Sequence, residues 1–395
     1  MNAERSALAM VLITIGTVCA LAATDLVLPA VPMLPSVVSG TAQAAQWVLA
    51  AFSLGTGAGL LIFGELGARF RIVDLLIGSL FAFAVLSVLA TFAETLVQMS
   101  VLRFFQGLSA SAPAVYAPVM VKSLYDETRA VAMIGRIGSI ESMAPAIAPV
   151  IGALLLSLYG WRSSFYLVAL IALAMALGWL SAPSLREQFG RLPQAVGGYG
   201  SLLRNSTFLR YALSQACNLG GLLAIVFSAP KIIASSMGGS LADFVTMQVM
   251  GITLYVIAAN TTGVFARWWG DENTILYGSV LSAAGSLGLI GVALVADTSI
   301  PLLWACFLMI NLGLGIRGPV GFYKALVAAG SNDARGAALM ILFVMLVAAG
   351  GTAAVATVIE QGLLPLSLVA SAILWASVAL LLALPASAPG SSAGR

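Results

Sequence analysis

Apolar residues along this chain come in about twelve long blocks, and the short segments between the blocks hold most of the charged residues. Each block is long enough to cross a bilayer as a helix, which takes roughly 20 residues. The blocks fall at 7–32, 44–65, 72–92, 96–121, 131–157, 163–183, 206–231, 243–266, 274–296, 300–323, 336–359 and 363–384. The pattern predicts an all-α integral membrane protein with twelve transmembrane helices in two pseudo-symmetric six-helix bundles. The longest polar stretch carries Arg186, Glu187, Arg191 and Arg204 together with Pro193 and Gly197-Gly198. It divides the chain into an N-terminal bundle (1–183), a cytoplasmic linker (184–205) and a C-terminal bundle (206–385). Residues 386–395 are small and polar and read as a disordered tail. The first block runs on without a small-residue cleavage site and reads as a retained span.

Composition agrees with this reading and narrows the chemistry. Charged residues make up 8% of the sequence against 61% hydrophobic, whereas a soluble domain has about a quarter of its residues charged. The net charge of +3 is spread over the loops, with no basic block suited to nucleic acid. Lys and Arg gather after the even-numbered spans, at Arg69, Arg71, Lys122, Arg129, Arg186, Arg191, Arg204, Arg210, Arg267, Lys324 and Arg335; the opposite loops hold little beyond Arg162 and Lys231. This bias places both termini and the central loop in the cytoplasm. Histidine is absent, so proton chemistry falls to carboxylates and a Cys/His zinc site is excluded. Cys19, Cys217 and Cys306 lie in apolar blocks, as small packing residues rather than a disulfide framework. No phosphate-binding Gly-rich loop occurs. The expectation is a protein that is not an enzyme, without cofactor or metal, whose partners are lipid, protons and a small molecule, and which acts as a monomer.

A few ionisable residues sit inside the apolar blocks: Asp25, Arg103, Arg136, Glu141 and Arg317. In hydrocarbon such a side chain costs at least a few kcal/mol, so it faces a cavity, a partner or a transported substrate. Asp25 precedes Pro29 and Pro32, which break the helix ladder; it is either a proton or cation site or an interfacial carboxylate at a helix end. Glu141 lies on the proline side of span five, whose flank is rich in small residues (Gly135, Gly138, Ser139, Ala144, Ala148 and Gly152). It is either a second proton carrier or half of a structural ion pair. Arg136 is nearer the cytoplasm and can snorkel. Arg317 sits in Gly313-Leu314-Gly315-Ile316-Arg317-Gly318-Pro319, where an interrupted helix would place a fixed positive charge beside free backbone groups, a site for an anionic or zwitterionic group. The other reading is a kinked helix whose arginine pairs with an acid. Tyr116, Asn218 and Asn311 lie at comparable depth and are candidates for orienting a substrate.

The halves read as copies. Gly64-Glu65-Leu66-Gly67-Ala68-Arg69 follows span two, and Gly263 to Gly270 follows span eight; internal repeats of this kind are a common construction of secondary transporters. Gly64-x-Leu66-x-x-Arg69 resembles the signature loop of the major facilitator superfamily, with Arg71-Ile72 in place of the family's later Gly-Arg pair, and the Gly263 to Gly270 segment resembles its second-half counterpart, with Arg267 at the aspartate position. Arg103-Phe104-Phe105-Gln106-Gly107 resembles the family's Arg-x-x-Gln-Gly motif. Pro145-Ala146-Ile147-Ala148-Pro149-Val150-Ile151-Gly152 resembles its antiporter motif. Thr24-Asp25-Leu26-Val27-Leu28-Pro29 is similar to the first span of twelve-span drug:proton antiporters, particularly the Bcr/CflA group. The resemblance covers the whole chain.

It implies a proton-coupled antiporter that exports a small molecule by alternating access. Asp25 and Glu141 would carry protons, and Arg103, Gln106, Tyr116, Asn218, Asn311 and Arg317 would line the substrate site. Gly64, Arg69, Arg71, Pro145, Pro149, Gly152, Gly263 and Gly270 would form the conformational motifs. Substrates are either amphipathic drugs or a carboxylate-bearing metabolite, with a dedicated siderophore exporter as an alternative. The family's loop aspartate is Ala68 here, which leaves its charge latch incomplete unless Asp74 substitutes. That erosion is the one feature favouring a transport-inactive sensor or scaffold.

Overall fold

The computed structural model describes residues 3–39, 41–189, 197–295 and 299–386. The tail after Ala386, and Arg191 and Pro193 of the central stretch, lie outside them. Among the described residues, eleven helical spans are long and apolar enough to cross a membrane. The expected fourth span, Leu96–Leu124, is equally helical over 29 residues but less apolar, because it carries Arg103, Gln106, Lys122 and several serines. It is also extensively buried. Arg103 and Gln106 are tolerated because protein, not lipid, surrounds them. Large apolar side chains such as Val97, Leu154, Leu170, Leu294 and Leu382 are instead exposed, as lipid contact requires.

The chain forms two compact units. Unit 1 comprises Met1–Tyr125, Ile140–Gly198 and Ser331–Ala338. Its helices are α1 (Ala3–Asp25), α2 (Leu34–Val37), α3 (Ala42–Gly67), α4 (Ile72–Ala90), α5 (Leu96–Leu124), the end of α6 (Glu127–Glu141), α7 (Ala144–Tyr159), α8 (Arg162–Leu180) and α9 (Pro183–Gln188). Unit 2 comprises Asp126–Ser139, Tyr199–Gly330 and Leu339–Arg395. It holds most of α6, then α10 (Tyr199–Leu203), α11 (Ser206–Ser235), α12 (Leu241–Trp269), α13 (Asp271–Val295), α14 (Ile300–Ala328), most of α15 (Asp333–Ala356), and α16 (Leu363–Ala383).

Prolines break two spans, the first where the sequence predicts it and the fifth where it does not. Span one is helical to Asp25 and continues as a 3-10 turn, Leu28–Met33, and α2. Span five ends its first helix at Glu141 and restarts at Ala144 with Pro145 in its first turn. Proline has no N–H to give to the carbonyl four residues back; for Pro29 that carbonyl is on Asp25, and for Pro145 it is on Glu141.

Span ten departs from expectation. α14 runs unbroken through Gly313 to Pro319, so its glycines are packing positions rather than hinges. A Cβ on Gly313 would lie 2.4 Å from the Gly278 carbonyl oxygen of α13, and one on Gly315 2.5 Å from Ala258 Cβ of α12. The span-five small residues act the same way. Gly135 would meet the Ala259 carbonyl at 2.7 Å, and Gly152 the Leu26 carbonyl at 2.3 Å.

The signature loop meets a carboxylate at an unexpected position. Asp74 is occupied locally, by Arg186 at 3.2 Å and Arg71 at 3.7 Å. The carboxylate that meets basic residues here is Glu65: its Oε1 accepts from Arg69 at 2.6 Å and its Oε2 from Arg335 at 2.8 Å. Arg335 also donates to the Asn332 side chain and the Gly197 carbonyl, and Lys122 pairs with Asp333 at 2.7 Å. These contacts fasten the first turn of α15 within unit 1. Arg335 is almost wholly buried, so Glu65→Ala is expected to destabilise the protein by about 3 kcal/mol by stranding that guanidinium. Thermal melting of the purified protein checks this; an unchanged midpoint would show the pair to be dispensable.

Candidate functional site

In unit 1 the site is built on α1, α5 and the break after α6. Asp25 is the last residue of α1 and is half-buried. Among the described residues no side chain bonds or pairs with it. A carboxylate there meets the negative end of the helix dipole, so nothing local neutralises it. Glu141, the last residue of α6, is also half-buried and without a cationic partner within 4.0 Å among the described residues; it lies within hydrogen-bonding reach of Thr17. Thr17 donates its own proton to the Thr14 carbonyl at 3.0 Å. Its oxygen can therefore accept from a protonated Glu141. Asp25 is eight residues beyond Thr17, about 12 Å along α1, so the two acids are separate sites and not a dyad.

Arg103 is fully buried on α5 and fully employed. Its Nε donates to the Val48 carbonyl at 3.3 Å, Nη1 to Gln106 Oε1 at 2.9 Å and Nη2 to Thr24 Oγ1 at 3.4 Å. Its guanidinium carbon stands 4.2 Å from the centre of the Phe52 ring, a stacking that suits arginine. Gln106 passes the network on to Ser87 Oγ at 2.5 Å. Arg103 thus ties α5 to α3, α4 and α1, and reaches Asp25 only through its neighbour Thr24. Thr17 and Thr24 were not singled out from sequence. Their seven-residue spacing, which puts two hydroxyls on one face of α1, is the signal that marks them.

Tyr116 does not join this group. It lies 13 residues beyond Arg103 on α5, about 20 Å along the helix. Its hydroxyl donates to the Phe63 carbonyl at 2.8 Å, and its ring packs by Gly67 and Ala334 near the end of α3. Of the motif residues, Gly64 and Arg69 lie at the end of α3, and Arg71 caps α4 and donates to the Arg186 carbonyl. Pro145, Pro149 and Gly152 belong to α7. Gly263 lies inside α12, and Gly270, with φ of 77°, ends that helix.

In unit 2, Arg317 is fully buried on α14. Its Nη1 donates to the Ser214 carbonyl at 2.8 Å and its Nη2 to Ser214 Oγ at 3.0 Å. Asn218, one turn beyond Ser214 on α11, accepts from Ser282 Oγ of α13 at 3.3 Å. Asn311 is turned onto its own helix, donating to the Phe307 carbonyl at 2.9 Å. No carboxylate approaches Arg317 within 4.0 Å among the described residues, whereas buried Arg210 and Arg335 pair with Glu272 and Glu65. Among the described residues no cluster of His, Cys, Asp and Glu could hold a metal.

Residues 13–355 match the family model described as Major Facilitator Superfamily. The chain is 28% identical over 272 residues to a chloramphenicol resistance protein of Pseudomonas aeruginosa, a match covering 67% of this chain and 63% of the relative. It is 23% identical over 301 residues to a bicyclomycin resistance protein homolog of Haemophilus influenzae, covering 74% and 75%. The multidrug resistance protein MdtL of Escherichia coli is 23% identical over 60% of this chain and 61% of its own length. Among solved structures, the transporter FucP superposes with a TM-score of 0.73 at 16% identity over 95% of this chain and 97% of its own. The proton:xylose symporter XylE does so with a TM-score of 0.68 at 15% identity, over 96% and 97%.

Proposed function

The chain belongs to the Major Facilitator Superfamily, and from that premise we propose that it is a proton-coupled antiporter exporting a small molecule across a cell inner membrane. The family and fold are those of multi-pass membrane transporters, not of enzymes. The observation that carries the coupling is Asp25: a carboxyl inside span one, at the end of a proline-broken helix, with no side-chain partner among the described residues. A carboxyl bound to an arginine stays charged through a cycle; one left free exchanges its proton with whatever water or substrate reaches it. Glu141, whose hydroxyl neighbour can accept its proton, is the second carrier. Substrate and proton compete, and the proton gradient is the energy source with no cofactor.

The relatives' names direct the substrate panel. Chloramphenicol and bicyclomycin represent amphipathic drugs, beside carboxylate-bearing metabolites including siderophores. The test is flux in proteoliposomes carrying the purified protein under an imposed pH gradient. Gradient-driven movement of a panel member, abolished by a protonophore, is the expected result. Movement unaffected by the protonophore would overturn the coupling. Absence of movement together with ligand binding would favour a transport-inactive receptor.

A further inference from the structure

We propose that the face shared by α11, α13 and α14 in unit 2 is a carboxylate site, with Arg317 as its cation and Gln215 and Asn218 as its amide partners. Both Arg103 and Arg317 are buried cations without a carboxylate neighbour among the described residues, but they differ in one respect. Every nitrogen of Arg103 has a partner. Arg317 Nε has none, and neither has Asn218 Nδ2 nor Gln215 Oε1. Gln215 is 5% exposed, and Asn218 and Arg317 are each 0% exposed. A buried polar atom normally finds a partner, and a buried charge finds a countercharge. Two open donors and one open acceptor, on a guanidinium and two amides of the same three helices, suit a group that is anionic and carries a donor of its own. A carboxylate with a neighbouring hydroxyl or amine has that composition.

α14 places no side chain between these groups. α14 presents Gly318 and Gly321 on either side of one turn beyond Arg317. A Cβ on Gly321 would stand 3.0 Å from Arg317 Nη2 and 3.3 Å from Gln215 Oε1, and one on Gly318 would stand 4.0 Å from Gln215 Nε2. The glutamine and the guanidinium therefore flank the same side-chain-free surface. Asn218 joins from the next turn of α11 through Ser282, which lies one turn from Gly278 on α13, where Gly278 abuts Arg317 Cβ. The inference rests on the export reading only in assigning the carboxylate to the transported molecule; the other source of the same charge is a resident inorganic anion.

The experiment is thermal melting of the purified protein with sodium lactate, sodium acetate, lactamide and sodium chloride at matched ionic strength. Lactate offers the charge and the donor, acetate the charge alone and lactamide no charge. Lactate is expected to raise the midpoint by about 2 °C or more at saturating concentration, acetate by less, and lactamide and chloride not at all. Equal shifts with chloride and lactate, or none with either carboxylate, would overturn the proposal. Arg317→Met is expected to abolish the carboxylate response. Gln215→Leu guards against misfolding: it removes an unpaired buried acceptor and is expected to melt no lower than wild type, while losing the advantage of lactate over acetate. A Gln215→Leu protein that discriminates as wild type does would also overturn it. Gradient-driven flux without a carboxylate shift would end this proposal and leave export standing; a shift without gradient-driven flux would do the reverse.

Discussion

Gly107→Val is expected to abolish accumulation of folded protein. α3 and α5 meet backbone to backbone: a Cβ on Gly107 would stand 2.0 Å from the Phe52 carbonyl oxygen, one on Gly55 1.9 Å from that of Phe104, and one on Gly59 2.4 Å from that of Leu108. Lipid gives helices no hydrophobic drive to associate, so close packing and interhelical hydrogen bonds must hold them. A valine adds three carbons where the first already overlaps a carbonyl on a neighbouring helix that cannot rotate away. Parting the helices would also break the Arg103 bond to Val48 and its stacking on Phe52, both on α3. The combined cost is about 3 kcal/mol or more. Yield of monodisperse protein after detergent extraction measures it, with Gly263→Val as the control, because nothing lies within 4 Å of a Cβ there. Wild-type yield and melting for Gly107→Val would refute this account of the motif's glycine.

Asp25→Asn is expected to reduce gradient-driven flux to background while leaving substrate-for-substrate exchange in place. The amide matches the carboxyl in shape and cannot carry a proton, and no described side chain depends on the carboxylate, so folding is expected to be unaffected. Exchange moves no net proton and reports the substrate path alone. Glu141→Gln is expected to lose coupling in the same assay, since Thr17 can accept from an amide as well as from a protonated acid. Thr17, the partner of Glu141, lies about 12 Å from Asp25 along α1, so each acid is expected to be required by itself, and either substitution alone is expected to uncouple transport from the gradient. Full gradient-driven flux in Asp25→Asn would remove Asp25 from the mechanism.

The resemblance of the motifs gave the family, and the apolar blocks gave the spans, because a bilayer demands the same thing of every crossing segment regardless of its neighbours. The break after Asp25 was legible for a similar reason, since a proline acts on its own chain; the break after Glu141 has the same cause in Pro145 and was not predicted. Readings that depended on a second helix fared differently. Gly313 and Gly315 look like a hinge in sequence and are packing surfaces in the fold, because a glycine's meaning depends on which backbone comes alongside. Tyr116 reads in sequence as lying at the depth of the site residues, but it stands about 20 Å from Arg103 along α5 and donates to the Phe63 carbonyl.

What the sequence determined by itself is therefore what is set by the chain's own length, apolarity and covalent geometry: the number of spans, the broken first helix, and the small set of charges that must be accounted for. Which of those charges is satisfied was decided only by tertiary structure. Arg103 finds a partner for each nitrogen, Glu65 meets Arg69 and Arg335, and Arg317 keeps an unpaired Nε. A hydrogen bond requires its two atoms within about 3 Å, and residues scores of positions apart acquire that proximity only when the helices have packed.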